Sequence, residues 1–163
     1  MITKSGGNNL SGSFRTTLNN DAWRSLTPDP ADKTINIVTP IYEGTLGGPI
    51  FKDRLWYFGA VRYTKPERNR TLYATGINYL TSTAETRYEA KGTVALNSRN
   101  NVKGSYTRRQ TKSKNGTFGV PMDLASLYDS SSMQNLTTVN YTSVLTNNLF
   151  IEGQYSRKIS ATS

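Results

Sequence analysis

Cysteine and histidine are both absent from this chain of 163 residues. The lack of cysteine excludes a disulfide framework, a thiolate nucleophile and a cysteine metal site. The lack of histidine removes most nucleophile-and-base pairs and most zinc sites. The eleven Asp and Glu residues show no calcium-loop spacing, which leaves a glycosidase built on two carboxylates as a minor enzyme alternative. We therefore predict a protein that is not an enzyme and needs neither a metal nor another cofactor.

Long apolar stretches are lacking as well. No run approaches the roughly 18 apolar residues of a membrane helix, and the opening Met-Ile-Thr-Lys lacks the apolar core of a signal peptide. Such a start is expected of a cytoplasmic protein or of a fragment without its own beginning. Hydrophobic residues make up only 35% of the chain, which contains ten tyrosines. This combination is typical of two-faced β-structure rather than of a packed helical core.

The chain is basic, with a net charge of +9 from 20 Lys and Arg against 11 acids. A basic balance suits nucleic acid, anionic lipid or an anionic solute. Most of these cations stand singly along strand-like segments, which predicts one charged face of a sheet. Arg68 with Arg70, and the run from Arg108 to Lys114, are predicted to be solvated loop ends.

Alternation of apolar and polar residues predicts the strands. It is clearest from Ala84 to Asn97, where tyrosine, valine and leucine face one way and charged residues the other. Leu46 to Tyr63 predicts a strand, a tight turn at Lys52-Asp53 and a second strand rich in aromatic residues.

Short turns are predicted near residues 52, 100 and 147, and long loops at 19–40, 65–83 and 112–132. Short turns at one end and long loops at the other are expected of an outer-membrane barrel, and strands of about 9 to 13 residues suit a tilted membrane span. The predicted fold is therefore all-β: an antiparallel up-and-down meander of about seven strands that forms a partial transmembrane β-barrel.

Two motifs resemble a known family. Thr3-Lys4-Ser5-Gly6-Gly7-Asn8 with Leu10-Ser11-Gly12-Ser13 is similar to the junction between plug and barrel in TonB-dependent outer-membrane receptors. Leu46-Gly47-Gly48-Pro49-Ile50 with Lys52-Asp53-Arg54-Leu55-Trp56-Tyr57-Phe58 resembles the first barrel hairpin of the Oar-like branch. The resemblance implies that residues 1–9 end the plug and its linker, and that 10–163 are part of the barrel. It also implies a fragment, since the family's signal peptide, TonB box, plug and most of the barrel are missing.

The resemblance implies energy-coupled uptake of a scarce solute across a Gram-negative outer membrane. Its partners would be outer-membrane lipid, the receptor's own plug domain, the inner-membrane TonB complex and an unknown small solute or peptide, but not nucleic acid. Candidate ligand contacts in the loops are Trp23, Arg24, Met122 and Tyr128; simple loop packing is the alternative. Candidate lumen cations that favour an anionic solute or hold the plug are Arg15, Arg62, Arg87, Lys91 and Lys103; solvated lumen charges are the alternative.

Two other functions remain open at this point. A passive porin or structural barrel explains the strands but not the Ser5-Gly6-Gly7-Asn8 junction. A soluble basic β-sheet module that binds nucleic acid or glycans explains the cations and tyrosines but not the unequal connections. It predicts a protein that is monodisperse without detergent and binds its ligand less tightly as salt increases.

Overall fold

The structure, a computed structural model, describes residues 6–26, 28, 34, 36–119 and 123–163. These residues form eight β-strands and two short 3-10 helices, Asp21–Trp23 and Leu124–Ser126. The strands are β1 (Ser11–Asn20), β2 (Val38–Phe51), β3 (Leu55–Thr64), β4 (Glu67–Thr71), β5 (Asn78–Ala95), β6 (Asn100–Gly116), β7 (Tyr128–Thr146) and β8 (Leu149–Thr162). In the described part of the chain, no helix is long and apolar enough to cross a membrane.

All strands belong to one antiparallel sheet with the order β1-β2-β3-β5-β6-β7-β8, in which β4 pairs with β5. Strands that follow each other in the chain therefore lie side by side, as in an up-and-down meander, except for β3 and β4, which both pair with β5. The sheet is not closed: among the described residues, β1 and β8 each have one unpaired edge. The prediction of an all-β antiparallel meander is confirmed, with eight strands where about seven were expected.

Three short turns lie at one end of the sheet, which we call the short-turn end. They connect β2 to β3, β5 to β6 and β7 to β8. In the first, Asp53 has a φ of 62°, a left-handed conformation that Asp tolerates better than most residues. The amide of Arg54 closes this turn by donating to the carbonyl of Phe51 at 3.2 Å. The turns lie where polar residues predicted them, near 52, 100 and 147.

The connections at the opposite end, the long-loop end, differ from expectation. The loop predicted at 65–83 is wrong, because β4 continues β3 in the same register: Thr64 is opposite Glu85, and Glu67 is opposite Ser82. Pro66 has no N–H for this ladder, yet its carbonyl accepts a hydrogen bond from the Thr83 amide at 3.1 Å. β3, β4 and β5 therefore form one long hairpin that turns at residues 72–77.

The third predicted loop, 112–132, is also shorter than expected. β6 continues to Gly116 and β7 begins at Tyr128, so the run from Arg108 to Lys114 lies in a strand rather than at a loop end. Arg68 and Arg70 likewise lie in β4. A segment of polar side chains can still form a strand, because the hydrogen bonds between strands are made by backbone groups. The first predicted loop, 19–40, falls between β1, which ends at Asn20, and β2, which begins at Val38. Residues 27, 29–33 and 35 of this loop lie outside the described residues.

The sheet is a single layer. Of the described large hydrophobic residues, Leu72 and Tyr79 are buried, and both lie where β4 turns into β5. Many other apolar side chains are exposed, including Phe14 at 75% and Tyr155 at 62%. A folded domain normally buries the apolar face of a sheet against a second layer, and the described residues supply none.

Candidate functional site

The strand registers divide the sheet into an apolar face and a polar face. Residues directly opposite each other share a face, since side chains alternate along each strand. The apolar face comprises Phe14, Leu18, Tyr42, Leu46, Leu55, Tyr57, Val61, Tyr63, Tyr88, Ala90, Val94, Val102, Tyr106, Val139, Tyr141, Ile151 and Tyr155. The apolar positions predicted between Ala84 and Asn97 lie on this face.

A line of tyrosines crosses the apolar face obliquely. Tyr63 lies two residues beyond Val61, and Val61 is opposite Tyr88. Tyr88 therefore lies one same-face step nearer the short-turn end than Tyr63. In turn, Ala90 is opposite Tyr106, so that Tyr106 lies one further step in the same direction.

The line continues into β8. Tyr106 is opposite Thr137, and Thr137 is opposite Arg157, which places Tyr155 one more step toward the short turns. From Tyr63 to Tyr155 the shift is about 20 Å along the strands over about 19 Å of sheet, so the line is inclined by about 45°. Barrel strands tilt by roughly 35–45°. We call Tyr63, Tyr88, Tyr106 and Tyr155 the tyrosine line.

In three of the strands that run toward the long-loop end, β3, β6 and β8, a cation follows the tyrosine two residues later. The three segments are Tyr-Thr-Lys at 63–65, Tyr-Thr-Arg at 106–108 and Tyr-Ser-Arg at 155–157. Arg108 and Arg157 share the apolar face with the tyrosines and lie just beyond the line. This short repeat was missed in the sequence, and a search for an aromatic residue two positions before a cation would have found it.

Lys65 is held by a neighbouring acid. Its Nζ lies 2.7 Å from the Glu67 carboxylate. A side-chain hydrogen bond to Glu67, with the attraction of its charge, raises the pKa of Lys65 above its ordinary value. The ammonium group therefore stays charged at the outer boundary of the tyrosine line.

The polar face collects the predicted lumen cations. Arg15, Arg62, Arg87, Lys91 and Lys103 all lie on it. One continuous row of opposite residues crosses five strands, and we call it the arginine row: Arg15, Glu43, Arg62, Arg87 and Arg109. Arg109 was missed in the sequence because the basic run around it predicted a loop end.

Three glutamates neutralise the arginine row unequally. Arg15 hydrogen-bonds Glu43 through Nε at 2.8 Å, and Arg109 bonds Glu85 at 2.6 Å. Arg62 and Arg87 are held less closely. Arg62 Nε lies 3.6 Å from Glu43, and the Arg87 guanidinium lies 3.7 Å from Glu89; both distances exceed hydrogen-bond length.

The predicted loop contacts lie at the long-loop end but are not brought together. Trp23 ends a 3-10 helix after β1 and is 64% exposed, and Arg24 forms an ion pair with Asp21 at 2.7 Å. Tyr128 begins β7, opposite Gly116. Four strands of the sheet lie between β1 and β7. Met122 lies outside the described residues.

The segment before β1 is fastened to the first hairpin. The Asn8 side-chain oxygen accepts hydrogen bonds from the Asp53 amide at 3.0 Å and from the Trp56 indole at 2.7 Å. Gly6 lies so close to the Tyr57 carbonyl that a Cβ at residue 6 would overlap it. The described part of the junction motif therefore contacts the hairpin motif; Thr3, Lys4 and Ser5 lie outside the described residues.

Metal sites and related proteins give no further information about the function of these surfaces. In the described ranges, no three His, Cys, Asp or Glu side chains come together in a way that could hold a metal ion. Comparison with protein-family models, with curated proteins and with solved structures found no match. The two faces of the sheet and the Asn8 contact are therefore the observations on which a function can be based.

Proposed function

We propose that this chain forms part of the wall of an outer-membrane β-barrel, with its apolar face in lipid and its polar face toward a water-filled interior. The tyrosine line with its following cations is the observation that supports this most directly. Transmembrane barrels carry aromatic girdles at the membrane interface, and long cationic side chains place their charge in the headgroup region. A horizontal girdle crosses tilted strands obliquely, as the tyrosine line does.

The exposed apolar face supports the same proposal. Monomeric soluble proteins seldom leave a large contiguous apolar patch in water, whereas lipid covers such a face in a membrane. Hydrocarbon does not tolerate unpaired strand edges. The proposal therefore includes further strands that pair with β1 and β8 and close the barrel.

Within this class, we assign the chain to an energy-coupled receptor of the TonB-dependent, Oar-like type. The contact of Asn8 with Asp53 and Trp56 supports the assignment, since it joins the two motifs that carry the resemblance. The receptor's plug would precede the junction, the inner-membrane TonB complex would drive uptake, and the long-loop end would meet the solute. Trp23, Arg24 and Tyr128 are the proposed loop contacts.

Single cysteines test the membrane assignment, and the chain has no native cysteine to interfere. Ala60 and Val61 are neighbours on β3 that lie on opposite faces: Ala60 is opposite Glu89, and Val61 is opposite Tyr88. In outer membranes from cells that express the complete gene product, Ala60→Cys should react with a water-soluble maleimide, and Val61→Cys should react only after the lipid is dissolved. Equal reactivity of both cysteines before lipid removal would refute the membrane wall.

The DNA around the reading frame separates a receptor from a passive barrel. An in-frame signal peptide and plug upstream, with further strands downstream, are expected for the receptor. Further strands without a plug would instead indicate a porin-like or structural barrel. Stop codons on both sides would favour the soluble binding module.

A further inference from the structure

We propose that Arg62 and Arg87 form a binding site for an oxyanion group, a phosphate or carboxylate, of a small solute on the polar face. The two residues are directly opposite each other on β3 and β5. Arg109 is opposite Arg87 on the next strand. Three arginines thus stand side by side across three strands.

This arrangement is unfavourable in the absence of a ligand. Like charges directly opposite each other destabilise a sheet. The nearby glutamates neutralise Arg15 and Arg109, at the two ends of the arginine row, more than they neutralise the central pair Arg62 and Arg87. Glu43 accepts a hydrogen bond from Arg15, and Glu85 accepts one from Arg109. Within the part of the chain that the structure describes, the acidic contacts of Arg62 and Arg87 are the longer ones, 3.6 Å to Glu43 and 3.7 Å to Glu89. An anion between the central pair would supply the missing negative charge.

The geometry suits one shared anion. Opposite side chains leave the sheet roughly 5 Å apart at Cβ, so two guanidinium groups can converge on a single phosphate or carboxylate. Each guanidinium presents a planar fork of donors that matches such a group. The side chains of Arg62 and Arg87 are 49% and 38% exposed, which leaves donors accessible from the polar face.

The inference deepens the proposed receptor function by naming an oxyanion-bearing solute class, and it rests on that function for its biological meaning. The binding itself depends on the sheet register rather than on lipid. Equal reactivity of the two cysteines would refute the membrane wall, and absence of anion binding would refute the arginine site. The two results are therefore distinguishable.

Calorimetric titration with pyrophosphate and with citrate tests the site, using the complete gene product isolated in detergent. Arg87→Gln should weaken binding at least tenfold, since a hydrogen bond to a charged group is lost. Arg99→Gln is the matched control: it removes the same charge from a short turn, and the hydrogen bonds of Arg99 to Asn97 and Val144 use its backbone. This control should bind as the parent does.

A stability measurement without ligand provides a second readout. Arg87→Gln should raise the melting temperature, because it relieves the repulsion among three arginines. Arg87→Lys should bind with intermediate affinity, since it keeps the charge but loses the fork. Equal weakening by Arg87→Gln and Arg99→Gln would overturn the proposal by indicating unspecific attraction to a basic protein. The proposal would also be overturned if no binding occurred at millimolar anion and Arg87→Gln had a lower melting temperature than the parent. That result would indicate that an acidic side chain of the protein itself occupies the position between Arg62 and Arg87.

Discussion

The Asn8 side chain accepts a hydrogen bond from the Trp56 indole at 2.7 Å, although 48 residues separate them. The same oxygen accepts from the Asp53 amide in the turn between β2 and β3. One amide group therefore fastens the segment before β1 to the first hairpin at two points. Both bonds lie at the short-turn end, on the side that the proposed barrel would direct toward the periplasm.

Replacing Asn8 should destabilise this end of the sheet. Asn8→Ala removes these two hydrogen bonds and a third, which the Asn8 side-chain nitrogen donates to the Asp53 carboxylate at 2.5 Å. We expect a loss of about 1 kcal/mol or more in the free energy of unfolding. Trp56→Phe removes the indole donor but keeps an aromatic ring. In a double-mutant cycle measured by denaturant unfolding in detergent, the two substitutions should couple. Strictly additive effects would show that the Asn8 to Trp56 bond contributes nothing.

Gly6 and Gly7 should respond differently to the same substitution. Gly6→Ala places a methyl group against the Tyr57 carbonyl and should cost roughly 1–3 kcal/mol, because backbone must move to admit it. Gly7→Ala meets nothing within 4 Å and should be tolerated. Protease sensitivity ahead of β1 is a direct measurement, and it should rise for Gly6→Ala alone. A similar rise in both variants would contradict the close approach of Gly6.

A charge on the apolar face should be costly in lipid. Gly104 lies on that face, between Gly92 and Val139 on the neighbouring strands. Residue 104 lies one same-face step on the short-turn side of Tyr106. In a bilayer, Gly104→Arg should therefore be destabilising, by a free energy between the roughly 0–1 kcal/mol expected at the interface and the roughly 2–4 kcal/mol expected at the midplane. Thr107→Arg is the control on the same strand, since Thr107 is opposite Glu89 on the polar face. Unfolding from lipid vesicles should separate the two variants; equal stability would argue for water on both faces.

The ion pair of Lys65 and Glu67 predicts a small effect at high pH. Because the folded-state pKa of Lys65 is raised, the pair stabilises the fold below the ordinary lysine pKa of about 10.4. This stabilisation disappears as the pH rises through the higher folded-state value. Glu67→Gln should lower the pKa of Lys65, because it removes the hydrogen bond and the charge that raise it most. NMR titration of the side chain can measure this change. An unchanged titration would indicate that Glu67 does not act on Lys65.

The sequence contained enough to predict the two faces but too little to predict where the strands end. Alternation from Ala84 to Asn97 fixed the orientation of β5, and polar pairs such as Lys52-Asp53 marked the turns. The segments at 67–71 and 112–116 lack an apolar period, so alternation gave no signal there. Apart from Asn115, these residues are nevertheless paired with β5 or β7. A strand of polar side chains is defined by its neighbours in the sheet, which a single sequence does not show.

The candidate site was predictable only in part. Alternation placed Arg62 and Arg87 on the charged face, but their direct opposition depends on the register between β3 and β5. Register joins residues that are distant in sequence, and a basic run such as the one containing Arg109 resembles a solvated loop when read alone. The tyrosine line has the same origin, since its slope exists only once the strands are aligned.

The hairpin of β3, β4 and β5 affects the entropy cost expected for solute binding in the proposed receptor. β2 pairs with this hairpin only as far as Ile41, which is opposite Thr64. β4 and β5 remain paired with each other as far as Thr71, which is opposite Asn78. These last seven residues extend about 23 Å farther along the strand direction. Their backbone entropy is lost during folding rather than on contact with a ligand. In the proposed receptor, a solute that meets this projection would bind an edge that is already paired in the sheet. Its affinity would not be reduced by the ordering of a flexible loop.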